Sequence, residues 1–417
     1  MHLLNRRICR RFVGISFKVL KGPMLGERVT AKIFERGTRC NTGVRRVGTA
    51  RLWLVEGPVP HFREMVELGR EIVRALVEVR GPEETVRLFS DPYWLTALSC
   101  VLGFEWDTSG QTTVTLRALK EGLKGTEIPV RVLGGKGEEM RWVPYEVERE
   151  LRHLEIRRPD ELVTVSRLSC SIDESALQDS YHIYFHALVV SESGEWSVVN
   201  QGMNVTDRTA RRYHWSSSVG VSSEGHHSTI YSERTEEVVL DMTSPESREA
   251  RETILEVLKD TPPSMIRQDL MRAKALLKGQ RTLDEAPIPV TGPAEIPEHL
   301  KPPSDLDVEV LRRAKGAESF DELLLTKGVG PATIRGLAYV SVLVYGSKAS
   351  WKDPARFAYA HGTKSGRPYP VNRRAMREVA AVLREAVMSS RLGDPEKLQA
   401  LRRLAALVSG GEEQTNS

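Results

Sequence analysis

The sequence predicts an α+β multidomain chain, with a mainly helical N-terminal part, a central antiparallel β-region and an all-α C-terminal domain. Three observations carry this. Apolar residues recur at helix spacing from Phe62 to Val77. The run Tyr181–Val190 is rich in aromatic and β-branched residues; Ser193-Gly194 and a second such run from Trp196 follow, the pattern of a β-hairpin. Six prolines fall between Pro287 and Pro303, a stiff extended linker. The expected organisation is a basic extension at 1–46, an α+β domain at 47–280, a linker at 281–304, a helical domain at 305–408 and a frayed tail at 409–417.

The elements follow in order. The first helix, from Pro60, ends at Gly81-Pro82, and shorter helices are expected at 83–90, 92–102, 112–123 and 145–154. Val130–Leu133 is strand-like, and Gly134-Gly135-Lys136-Gly137 after it reads as a turn or a phosphate cradle. Strands are expected at 162–172, 228–232 and 236–241 beside the hairpin. Helical spacing returns at 246–259 and 264–278, and from Asp305 onward the chain reads as helical.

Composition narrows the class. The chain has 417 residues, 40% hydrophobic and 28% charged, as in a globular protein. No apolar run approaches the ~18 residues that span a bilayer. Cys9, Cys40, Cys100 and Cys170 are scattered without a Cys-x-x-Cys pair, which argues against a zinc knuckle or disulfide scaffold and fits a reducing cytoplasm. The net charge of +4 hides a split. Residues 1–46 hold twelve basic and two acidic residues; they read as a transit-peptide-like segment, a basic arm, or sequence upstream of the true start. Residues 324–384 hold eleven basic and two acidic residues, a concentration suited to a polyanion.

The strongest motif lies in that basic stretch. Ser319 and Glu322 have capping-box spacing, so a helix is expected to start there and run to about Thr326. Gly328-Val329-Gly330 turns the chain, and Pro331 suits the first position of a second helix. The segment resembles a helix-hairpin-helix motif. There the glycines let the backbone approach a phosphate and the second helix points N–H groups at it, holding nucleic acid without reading sequence. Lys327, Gly328, Val329, Gly330, Thr333 and Arg335 are the expected contacts, with Lys364, Arg367 and Arg373 from the glycine-rich basic stretch that follows. An ordinary helix–turn–helix packing element is the alternative.

This resemblance extends to a DNA glycosylase superfamily in which an essential Asp follows the hairpin and lyase members carry a Lys in or beside it. Asp353 lies 23 residues after Gly330. Endonuclease III-like members have the lysine two places after the second hairpin glycine, where this chain has Ala332, so Lys327 and Lys364 are the substitutes. Asp353-Pro354 also reads as an ordinary helix cap.

Further candidates are upstream. Ser109, Gly110, Thr112 and Thr113 open a helix and form an expected anion site with Lys136, with helix capping alone as the alternative. Ala210-Arg211-Arg212-Tyr213-His214-Trp215 is a basic-aromatic cluster at the edge of a β-region, where Arg211 and Arg212 would contact phosphates or bases, or equally form a packed, hydrogen-bonded cluster. On one strand His182 and His186 share a face about 13 Å apart, too far for one metal. A metal site would need one of them with His214, His226 or His227. No metal ligands are assigned and no cofactor is expected, although a nuclease reading leaves room for a divalent metal.

As a set, Ser90-Asp91-Pro92-Tyr93-Trp94, Leu102-Gly103-Phe104-Glu105-Trp106, Ser109-Gly110-Gln111-Thr112-Thr113, Gly134-Gly135-Lys136-Gly137, Gln178-Asp179, Gln201-Gly202-Met203-Asn204, the Arg211 cluster and the hairpin resemble the family called domain of unknown function 763, from about Val47 to Leu383. The family pattern has His-Ser-Ser-Gly where this chain has Asp107-Thr108-Ser109-Gly110, and Gly-Gly-Lys-Asp-Gly where it has Gly362-Thr363-Lys364-Ser365-Gly366. The functional expectation is a cytoplasmic DNA-binding protein of the repair type. It would process damaged DNA as a glycosylase/lyase or nuclease, with a non-catalytic DNA-binding adaptor and an RNA-binding protein as the alternatives.

Overall fold

The computed structural model describes residues 59, 61–104, 108–151, 158–224, 229–232, 235–279, 295–355, 357–358 and 373–412. The first 46 residues, most of the proline-rich linker and the stretch holding His361, Lys364 and Arg367 lie outside them.

A six-stranded sheet stands between two helical layers. The N-terminal layer holds α1 (Phe62–Arg80), α2 (Pro82–Leu88), α3 (Pro92–Leu102) and α4 (Thr108–Leu123). Its boundaries are local chemistry. Gly81, at φ +82°, ends α1, and Pro82 starts α2 at once. The Asp91 carboxylate accepts from the Tyr93 N–H to cap α3, with Pro92 in the first turn.

β1 (Val130–Lys136), α5 (Val143–Leu151) and α6 (Pro159–Ser171) follow, and α6 runs into a π-turn at Ile172–Ala176. Residues 162–172, expected as a strand, belong instead to α6 and this turn. Leu162, Val165 and Leu168 are buried along one helical stripe, so the apolar residues of this segment follow a period near 3.6. Gly134 and Gly135 continue β1 rather than turning. A side chain at Gly134 would meet the His186 carbonyl at 2.3 Å, so glycine there permits close approach to the neighbouring strand.

β2 (Leu177–Gln178), β3 (His182–Ser191), β4 (Trp196–Asn204), β5 (Thr209–Ser216), β6 (Thr229–Ser232) and β7 (Leu240–Asp241) complete the β-region. The sheet order is β1-β3-β4-β5-β6 and then β8 (Phe357–Ala358), with antiparallel pairs throughout except β6–β8. β2 and β7 pair separately. The expected hairpin is β3–β4, with Trp196 opposite Val190.

The second layer holds α7 (Arg248–Asp260), α8 (Pro263–Leu277), α9 (Val308–Ala314), α10 (Phe320–Leu325) and α11 (Pro331–Leu343). Leu188, Val190 and Val198 of the sheet share one core with Leu311, Phe320 and Ile334. The helices beyond the proline-rich segment therefore pack into the same core as those before it. The chain then crosses sides. Leu383 and Val387 of α12 (Arg373–Ser389) and Leu404 of α13 (Asp394–Glu412) pack with Met65, Leu95 and Val189 in the N-terminal layer. No helix among the described residues is long and apolar enough to cross a membrane.

Candidate functional site

Strand alternation divides the polar residues of β4 and β5 between the two faces of the sheet. Arg211 and Tyr213 point to the α6–α11 side, whereas Arg212 and His214 point to the α1–α4 side. The basic-aromatic cluster is thus on an interior strand, and both guanidinia are fully buried. They form no basic surface for nucleic acid, because each is spent inside the fold.

On the first face Arg211 contacts two carboxylates, with Nη1 2.7 Å from Asp179 Oδ2 and Nη2 2.8 Å from Asp353 Oδ2. The Tyr213 hydroxyl donates to Asp179 at 2.8 Å. Tyr181 lays its ring 4.7 Å from the Arg211 guanidinium, and Gly202 makes room for it: a Cβ there would be 2.8 Å from that of Tyr181. Burial pushes the Asp179 carboxyl up to about 6, with Arg211 opposing and Asp353 adding to the shift. Asp353 also accepts from the N–H groups of Glu236 and Ala355. Its carboxylate is closed to any substrate. The expected helix cap is absent as well: among the described residues Asp353 leads not into a helix but into strand at Phe357–Ala358, and its bond to the Ala355 N–H closes a local turn.

A second buried chain lies alongside. The Ser166 hydroxyl is 2.8 Å from His186 Nε2, His186 Nδ1 is 2.6 Å from Asn200 Oδ1, and the Asn200 amide donates to Asp173 at 2.7 Å. Trp215 Nε1 donates to the same Asp173 carboxylate. The order of hydroxyl, imidazole and amide is that of a nucleophilic relay, yet all of it is enclosed between α6 and the sheet. It braces the π-turn against β4 and β5. Asp173 escaped sequence reading; its one signal was an acid directly after Ile172, on an apolar helical stripe.

On the opposite face Arg212 donates to the hydroxyls of Thr112 (3.2 Å) and Thr96 (3.0 Å) and to the Pro92 carbonyl (3.4 Å), joining β5 to α3 and α4. His214 Nδ1 donates to the Phe89 carbonyl at 2.9 Å, and burial, reinforced by Arg212, pushes the imidazole down to about 3, so it is neutral. Gln201 is Arg212's cross-strand neighbour.

The expected anion site is dispersed. Gly110, Thr112 and Thr113 open α4, but the Thr112 hydroxyl faces inward to Arg212, and the Ser109 side chain lies outside the described residues. Lys136 is exposed at the end of β1, its Nζ 5.9 Å from the centre of the Tyr184 ring. The histidines separate too. A bulge in β3 leaves His182 exposed, with Nδ1 2.9 Å from Glu174, while His186 and His214 face opposite sides of the sheet. No group of three or more His, Cys, Asp or Glu among the described residues is arranged to hold a metal.

The glycine turn is at the surface. Ser319 Oγ accepts from the Glu322 N–H, and the Glu322 carboxylate accepts from the Glu318 N–H. Gly328 has φ +94°, and a Cβ there would lie 2.9 Å from Val310 Cγ2. Gly330 is extended, at φ −150°, and a Cβ there would meet nothing within 4 Å. Pro331 then opens α11. Gln178 fixes this start, donating to the Pro331 carbonyl at 2.9 Å and accepting from Arg335 at 2.6 Å. Arg335 is thereby half-buried, Lys327 is exposed, and Thr333 is partly exposed. Arg373 begins α12, on the other side of the molecule's core.

Fold and site together define an α+β protein whose antiparallel sheet carries a buried polar network on each face and presents a glycine turn at the surface. The chain belongs to the family described as protein of unknown function (DUF763), whose model matches residues 48–371. No curated protein and no solved structure gave a match.

Proposed function

We propose that this chain is a DNA-binding protein of the repair type that grips the phosphate backbone at Gly328-Val329-Gly330. The observation that carries the reading is the contrast between the two glycines. Gly328 has internal reasons to be glycine: positive φ and the proximity of Val310. Gly330 has neither, and a glycine with no internal demand at a partly exposed helix start suits the close approach of an external backbone. Helix geometry leaves the N–H groups of Ala332 and Thr333 without intrahelical acceptors, so they are available to an anion. Lys327 and Arg313, both exposed, flank the turn, and the Arg313 Nε–H holds the Lys327 carbonyl at 3.0 Å.

Fluorescence anisotropy with labelled duplex DNA tests this. Binding should weaken steeply with salt. Gly330→Ala and Lys327→Ala should each weaken it while leaving the fold unchanged. Duplex that fails to bind at low salt, or that binds equally to Gly330→Ala, sinks the assignment. Competition with structured RNA separates the RNA-binding alternative. Borohydride trapping on abasic-site DNA tests the lyase version, which requires an adduct lost in Lys327→Ala or Lys364→Ala.

A further inference from the structure

We infer that His182, His299 and Arg335, beside the start of α11, form an acid–base site that cuts a DNA backbone at an embedded ribonucleotide. The inference rests on the DNA-binding reading and names the substrate that the glycine turn would present.

Bonds between three segments bring these residues together. Glu174, in the π-turn, accepts from the Ile183 N–H at 2.7 Å through one carboxylate oxygen, and the other is 2.9 Å from His182 Nδ1. A carboxylate only accepts, so Nδ1 carries a proton. Among the described residues Nε2 has no partner, and the side chain is 72% exposed. Arg335 of α11 joins the other two segments. Its Nη1 donates to Gln178, and its Nε donates at 2.8 Å to the carbonyl of Lys301, directly after the short turn Glu298–Leu300. The Tyr339 hydroxyl donates to the Leu300 carbonyl at 2.8 Å. His299, exposed on that turn, is thereby held beside α11, where it feels the charges of Glu236, Arg335 and His182.

The group is open to solvent and next to the phosphate grip, because Gln178 holds both Arg335 and the Pro331 carbonyl. Arg335 is five residues beyond Gly330. That is ~7.5 Å along a helix axis, or about two nucleotide steps of ~3.4 Å rise.

The two imidazoles are tuned apart. The hydrogen bond to Glu174 raises His182; partial desolvation and Arg335 oppose it, and the charges of Glu174 and Asp179 add to it. Partial desolvation lowers His299, with Glu236 opposing and Arg335 and His182 adding. One histidine held protonated and one held neutral supply an acid and a base.

Magnitude then selects the reaction. Positioned proton transfer contributes about 10²–10⁴-fold, far less than the ~10¹⁷-fold or more that phosphate-ester hydrolysis by water demands. A ribose brings its own nucleophile, and well-oriented intramolecular attack reaches effective molarities of about 10⁵–10⁸ M. Neutral His299 takes the 2′-hydroxyl proton as the 2′-oxygen bonds to phosphorus. The bond from phosphorus to the 5′-oxygen breaks, and His182 gives that oxygen its Nε2 proton. The products are a 2′,3′-cyclic phosphate and a 5′-hydroxyl, and proton exchange with water restores both histidines. The Arg335 guanidinium stabilises the charge that gathers on the phosphate oxygens.

The test incubates the full chain with four labelled duplexes: DNA carrying one ribonucleotide, the same with a 2′-O-methyl group there, DNA throughout and RNA throughout. The first should be cut to a 2′,3′-cyclic phosphate and a 5′-hydroxyl, and the second and third should stay whole. His182→Gln and His299→Gln should each slow the cut about 10²-fold or more, with the melting temperature and duplex binding at the glycine turn retained. Activity should be bell-shaped in pH. Glu174→Gln, a positioning change, should move the alkaline limb to lower pH, because His182 loses the partner that keeps it protonated; a purely structural Glu174 would leave the profile in place. An uncut ribonucleotide duplex, a 5′-phosphate product, or cutting undiminished in both histidine variants overturns the proposal. If the uncut duplex still binds, the DNA reading stands and only this site is lost. RNA cut while no DNA duplex binds overturns the DNA substrate and the DNA reading together, and leaves the acid–base pair acting on RNA.

Discussion

Arg211 and Asp353, 142 residues apart in the chain, form a two-pronged ion pair in which neither side chain has any solvent exposure. It ties the segment after α11 to the interior strand β5. It also converts the acid expected to act on substrate into one that holds the fold.

Removing one member of a buried pair strands the other. Asp353→Ala should therefore lower stability by about 3–5 kcal/mol in denaturant unfolding. Asp179 still faces Arg211, which sets the lower end of that range. If the Ala variant kept full stability and lost only a DNA-processing activity, Asp353 would be catalytic after all.

The two glycines of the turn before α11 should separate fold from ligand. Gly328→Ala faces a left-handed backbone and the Val310 side chain, and should cost about 1–2 kcal/mol or more. Gly330→Ala should unfold at the same denaturant concentration as the natural chain. Equal destabilisation by both would show that the turn is a packing element throughout.

Two buried groups give opposite pH dependences. Asp179 is raised from 3.8 to about 6, so its contribution to stability is full below 3.8 and lost as pH rises through about 6. His214 is lowered from 6.5 to about 3, so its contribution is full above 6.5 and lost as pH falls through about 3. Between about pH 4 and 6 the two oppose each other. Asp179→Asn removes the first, so the variant's stability should climb more steeply with pH across that window than the natural chain's. Parallel slopes in urea titrations would contradict the assignment.

The Ser319 cap should be worth about 1 kcal/mol. Ser319→Ala should lose it, read as a shift in the unfolding midpoint, because Ser319 Oγ takes the Glu322 N–H at the start of α10.

Local signals were legible where local chemistry sets the structure. The helix end at Gly81-Pro82, the helix expected at 92–102 and the Ser319–Glu322 cap all lie where the residues indicate, because caps and turns depend on neighbours within a few positions. The segment at 162–172 is a short apolar run that suits either period, and its burial against the sheet decides for helix.

The sequence by itself determined the class of fold, the hairpin β3–β4, the glycine turn and the family. Only the tertiary structure decided the roles of Arg211, Arg212, His214 and Asp353. Composition presents them as charge and chemistry at a surface, but strand alternation buries the first three on opposite faces of the sheet, and Arg211 draws Asp353 in after them. Whether a charged side chain meets water or a partner depends on residues far away in the chain, and no local pattern records which of those will be adjacent.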